Sequence, residues 1–250
     1  MCVREKQKKI ISQLRRDIFH LEGFRPESES KSLRLGLGVL EDAFPYGVFP
    51  TAALHEFLCE QDEDAAACSG FLSILLGLLM QNQKPCIWIS SFPMVFPPAL
   101  KIFGIRPDRI IFVRLHRDRD ILWAMEEALK CNGLAAVVAE LRELSFSQSR
   151  RLQLAVEHSR VTGFVLRRDV KKINTTACVA RWRISPQPSL LEDGLPGVGF
   201  PQWQVDLLKV KNGQPDSWNM AWTPEGFVFD RQEKTGEFPW KNRESIQTGS

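Results

Sequence analysis

Residues 54–91, LHEFLCEQDEDAAACSGFLSILLGLLMQNQKPCIWISS, constrain the fold of this chain more than any other stretch. Leu54 to Cys59 is short, apolar and β-capable, and Glu60 to Asp64 is a polar loop. Ala65 to Met80 is an apolar run without proline, long enough for about four helical turns. Gln81 to Pro85 breaks that run, and Cys86-Ile87-Trp88-Ile89 reads as a second buried strand. Strand, loop, helix, strand is a βαβ unit. Its first loop is where nucleotide-binding proteins hold phosphate.

The chemistry for phosphate is missing from that loop. A phosphate loop needs glycines so that backbone N–H groups can approach the ligand, a lysine for the β and γ oxygens, and Ser or Thr for Mg²⁺. No Lys or Arg occurs between Glu56 and Gln83, and the loop carries Glu60, Asp62, Glu63 and Asp64, whose charge repels a triphosphate. Carboxylates stabilise a helix N-terminus without any ligand, and no further ligand spacing supports a cation at Asp62 and Asp64. The stretch reads as a nucleotide-binding architecture that has lost its nucleotide. The chain is therefore expected to be no enzyme and to carry no cofactor or metal.

The rest of the chain continues the alternation. Arg109 to Leu115 and Leu134 to Ala139 read as strands, the second a continuous apolar run suited to a central parallel position and followed at once by Glu140. Between them, Ile121 to Lys130 reads as a helix that Asp118 or Asp120 can cap. Ser145 or Ser147 starts a further helix through Glu157, and Gly163 to Leu166 is the next strand. Thr176 to Ile184 is a later β segment, Ser185 to Pro201 a long loop with four prolines, and Trp203 to Val210 with Trp218 to Trp222 a hairpin. This pattern specifies an α/β fold with a mostly parallel central sheet flanked by helices and with C-terminal antiparallel strands. Residues 1–35 are expected to be an N-terminal amphipathic helix and linker, 36–230 the core, and 231–250 a polar, disordered tail. On the N-terminal helix, Ile10, Leu14 and Ile18 form one stripe, which either packs on its own domain or docks on another protein.

Six widely spaced cysteines, none in CxxC, point to reduced thiols. Charged residues through Arg16 leave no room for the apolar segment of an export signal, and Phe71 to Met80 is too short to span a bilayer. A cytoplasmic protein without membrane contact is expected. A net charge of +3 diagnoses nothing by itself, but its distribution is uneven: Arg142 to Arg183 holds ten basic and three acidic residues. Within it Arg167, Arg168, Lys171 and Lys172, with Arg181 and Arg183 further on, are candidates for binding DNA or an acidic partner.

The order of elements resembles the RecA-like ATPase core, and Asp206 to Phe229 looks like its closing antiparallel strands. More specifically, the chain is similar to the ImuA family, the RecA-related members of the bacterial ImuA–ImuB mutasome formerly described as SulA-like. The similarity lies in Leu54-His55-Glu56, Cys86 to Ile89, LWAMEEAL (122–129), LAAVVAE (134–140), SRRLQLA (149–155) and ARWRI (180–184), in order along the chain. The resemblance implies an SOS-induced accessory protein of mutagenic lesion bypass. Its partners would be RecA and ImuB, with an error-prone polymerase indirectly and single-stranded DNA as a further candidate. ATP hydrolysis does not carry over, because the phosphate-loop residues are absent. Two other readings stay open: an ATPase with an altered phosphate site, and a SulA-like cell-division inhibitor.

Overall fold

The computed structural model describes residues 35–92, 95–190 and 199–229. Ile10, Leu14 and Ile18, and the tail from residue 231, lie outside the described residues. In chain order the regular elements are β1 (Leu54–Leu58), α1 (Asp62–Leu79), β2 (Cys86–Ser90), β3 (Ile110–Arg114), α2 (Asp118–Leu129) and β4 (Ala136–Leu141). There follow α3 (Phe146–Ser159), β5 (Thr162–Arg167), β6 (Ala180–Leu190), β7 (Phe200–Val210), β8 (Asp216–Thr223) and β9 (Gly226–Phe229). The nine strands form one sheet in the order β3-β2-β4-β5-β1-β6-β7-β8-β9. Pairing is parallel from β3 through β6 and antiparallel from β6 through β9. The fold is the α/β class with C-terminal antiparallel strands that the pattern predicts.

Each strand face builds its own core. On one side α1 lays Phe71, Leu72 and Leu75 against Phe57, Trp182, Val205 and Leu207. Being apolar nearly all round, α1 passes for a membrane span by length and composition, yet it is used as a core helix. On the other side Ile121, Met125 and Leu129 of α2 and Leu152 and Val156 of α3 cover Val137, Ala139 and Val165. β1 lies between both layers, and all five of its residues are buried. That includes His55 and Glu56, two polar side chains which must find partners inside the protein.

Gly77 shows how closely α1 is packed. A Cβ there would collide with the Phe103 carbonyl oxygen, at the end of the 3-10 turn Pro97–Phe103. Gly77→Ala gains about 1 kcal/mol of helix propensity against overpacking of about 1–3 kcal/mol. The expected result is a net loss of stability, read as a lower urea midpoint with an unchanged m value.

Among the boundaries that differ from the sequence reading, four have a clear local reason. α1 starts at Asp62 rather than Ala65, because the Asp64 carboxylate closes its first turn. β4 runs on to Leu141, so Glu140 sits inside the strand, in register with Leu166, rather than just beyond it. At α2 neither Asp118 nor Asp120 is the cap: Arg117 takes that position, and Asp118 Oδ2 accepts the Arg142 backbone N–H instead. β6 and β7 extend into the proline-rich segment predicted as loop, with Pro186 in register with Trp203. β6 has already left β1 at Arg183, so it carries Pro186 and Pro188 where one side has no paired strand among the described residues. At α3 Ser145 is the cap, its Oγ accepting from Gln148 N–H while Gln148 Oε1 accepts from Ser145 N–H.

Candidate functional site at the carboxyl edge of the sheet

In open α/β sheets ligands bind at the carboxyl ends of the strands, where the connections of neighbouring strands leave to opposite faces. β1 and β5 are such a pair. β1 feeds α1 on one face, whereas β5 leads into the 168–179 loop, whose Cys178 packs on the other. Cys59, Glu60 and Gln61 are the whole connection from β1 to α1. All their backbone N–H groups are already used. Cys59 donates to the Arg167 carbonyl at 2.9 Å. Glu60 and Gln61 both donate to Asp64 Oδ2, at 3.1 and 3.2 Å. A carboxylate of the chain itself thus takes two of the three amides in this connection.

The acids and bases singled out from the sequence meet here. Arg183 Nη2 donates to Glu60 Oε1 at 2.6 Å, and Arg168 Nη2 to Asp62 Oδ1 at 2.7 Å. Beneath them lies a group centred on Glu56, which is fully buried. Arg167 Nη1 donates to Glu56 Oε1 at 2.9 Å and to Asn174 Oδ1 at 2.8 Å. Arg181 Nε donates to Glu56 Oε2 at 2.8 Å, and its Nη2 donates to the Asn174 carbonyl at 2.6 Å. Thr176 Oγ1 donates to the same Glu56 oxygen at 2.8 Å. Both carboxylate oxygens are thus matched by a guanidinium, as a buried charge requires. Glu63 is exposed and outside these pairs.

The six basic candidates therefore do not form one open surface. Arg167 and Arg181 are buried, Arg168 and Arg183 half-buried and engaged with Asp62 and Glu60. Lys171 and Lys172 are exposed, and no ion pair holds either among the described residues. The surface left for a polyanion is the pair of lysines.

Glu140, at the far side of the same edge, accepts the Trp88 indole N–H on Oε1 at 2.9 Å. Its Oε2 lacks a hydrogen bond and faces Arg168 Nη1 at 3.8 Å. Burial pushes the Glu140 carboxyl above the usual range, while the Trp88 hydrogen bond and the Arg168 charge pull it down. Among the described residues, no three His, Cys, Asp or Glu side chains converge as a metal site.

Glu56, Asn174, Thr176 and Trp88 were not singled out as site residues from the sequence. The one available signal was Glu56 itself, a carboxylate beside His55 inside a short strand that is apolar at its other three positions. Fold and site together define an open α/β sheet protein in which the switch point between β1 and β5 is lined by the chain's own ion pairs.

Comparison with known proteins places it further. No family model matches the chain. Protein ImuA of Caulobacter vibrioides, in strain NA1000 / CB15N and in strain ATCC 19089 / CIP 103742 / CB 15, is 32% identical over 198 residues, covering 74% of this chain and 81% of the relative. The chain belongs to the ImuA family.

Proposed function

We propose that the chain is a non-catalytic accessory protein of SOS-induced, mutagenic translesion DNA synthesis in the cytoplasm. It acts through ImuB and RecA, and through them on an error-prone polymerase. Family membership supports the pathway. The observation that carries the non-catalytic part is the β1–α1 connection, whose Glu60 and Gln61 amides are held by Asp64 and whose acids Glu60 and Asp62 are held by Arg183 and Arg168. The central β1, the parallel strands around it and the antiparallel closing strands support reading the core as RecA-like.

The test is surface-immobilised full chain exposed to purified RecA, ImuB and the tubulin-like division protein. Binding to RecA or ImuB without binding to the division protein is the expected result. Binding to the division protein alone would replace this reading with the SulA-like one. Single-stranded DNA is the further ligand, through Lys171 and Lys172. Replacing both with alanine should lower the slope of log affinity against log salt by about 1.4, two phosphate contacts at about 0.7 each. An unchanged slope would assign the two lysines to a protein contact.

A further inference from the structure

We propose that the outer edge of β3 is a docking strand for an acidic, apolar segment of another protein. This site lies apart from the Glu56 cluster, and the proposal does not rest on the accessory reading. β3 is the last strand of the sheet and pairs only with β2 among the described residues. Leu115 N–H donates to the Ser90 carbonyl at 3.1 Å. By the alternation of a parallel ladder, the N–H and C=O groups of Phe112 and Arg114 then point away from the sheet. Exposed edges are normally blunted by proline, a bulge, short length or charged side chains. The five-residue strand Ile110-Ile111-Phe112-Val113-Arg114 has neither proline nor bulge and one charge, Arg114 at its end, and Ile111 and Phe112 are 50% and 42% exposed.

Beside this edge opens a groove of about 240 Å³ with Trp88, Val95, Pro97 and Phe112 as apolar walls and Arg114 at its rim. An open ladder next to an apolar pocket is the arrangement that accepts an added strand: backbone hydrogen bonds give affinity and every second side chain enters the pocket.

Charge decides the occupant. Residues 101–119 hold six basic side chains and two acidic ones, Asp108 and Asp118. Asp108 is taken by Arg106 at 2.8 Å, and Asp118 by the Arg142 backbone. Arg114 reaches only the Ser91 carbonyl, at 3.4 Å, and Arg117 has no ion pair among the described residues. The chain's own residues 1–21 carry six basic and two acidic side chains, so this edge repels them, from the same copy or a second one. An acidic partner segment is attracted.

The full chain is used to select from a display library of random peptides of strand length, and the recovered peptides are titrated against Arg114→Glu and Phe112→Pro. The proline removes an outward N–H together with the phenyl wall of the groove, and it leaves the N–H groups that bond β2 in place. Expected are peptides that alternate apolar and acidic residues and weaken about tenfold or more on either variant, at unchanged melting temperature. Should Phe112→Pro fail to fold, the exposed Arg114→Glu alone decides. Recovery of basic peptides, equal affinity for wild type and variants, or competition by a peptide of residues 1–21 at equal affinity would overturn the proposal.

Discussion

Replacing Glu56 with alanine is expected to destabilise the protein by about 3–5 kcal/mol, because it leaves two buried guanidinium groups without an anion. Arg167 is 4% and Arg181 9% exposed, so water cannot take over the role of the carboxylate. The loss is a property of the unpaired charges, and a second variant separates it from simple cavity formation. Glu56→Leu combined with Arg167→Met and Arg181→Met removes the charges together, and apolar replacements of buried ion groups are often neutral or better. The triple variant should regain most of the stability lost in Glu56→Ala. Urea unfolding of the three proteins measures this; a Glu56→Ala midpoint close to wild type would mean that the cluster is not organised around Glu56.

His55 gives the second large effect, through pH. Its ring stacks on Phe49 at 4.6 Å, its Nε2–H donates to the Pro50 carbonyl at 2.8 Å, and its Nδ1 accepts from the Trp182 indole at 3.4 Å. Burial lowers its pKa from 6.5 to about 4, and the hydrogen bond to Pro50 works the other way. The folded protein holds His55 neutral where the unfolded chain already binds a proton, so unfolding takes up a proton between those two values. This contribution to stability is full above about 6.5, declines as pH falls, and is gone below about 4. Its size is about 3 kcal/mol at about 1.4 kcal/mol per unit of pKa. In His55→Gln that part of the pH dependence should vanish between pH values of about 6.5 and 4, while the carboxylates titrate as before. Parallel stability curves for the two proteins would show that His55 is not held neutral.

The fold was legible because its central strands announce themselves. Cys86 to Ile89 and Leu134 to Ala139 are apolar runs that suit strands buried on both faces, and the helix between them carries an apolar stripe. The acids at Asp62 to Asp64 pulled the expected helix start too late, since a capping carboxylate and a loop carboxylate look alike in sequence. The prolines of β6 misled for the opposite reason: a strand that has left its neighbour tolerates them.

The loop acids and the arginines of the site were legible as residues, whereas its centre, Glu56, and the arrangement were not. The absence of phosphate-loop glycines and lysine could be read directly, as could the acidic and basic clusters. That Glu60 meets Arg183 and Asp62 meets Arg168 depends on partners 123 and 106 residues apart. Glu56 and Arg181 are 125 apart. Those pairings follow only from the strand order, which puts β1 between β5 and β6. Charge runs that suggested an open binding surface are for the most part neutralised internally.

On the proposed function, the chain's own groups occupy the position where a nucleotide would bind. Titration calorimetry of the full chain with Mg-ATP tests it most directly. With the Glu60 and Gln61 amides held by Asp64, and Arg168 and Arg183 by Asp62 and Glu60, millimolar nucleotide should give no heat beyond dilution. A saturable isotherm that disappears when Arg168 or Arg183 is replaced by alanine would show that these ion pairs open to admit phosphate, and would contradict the account.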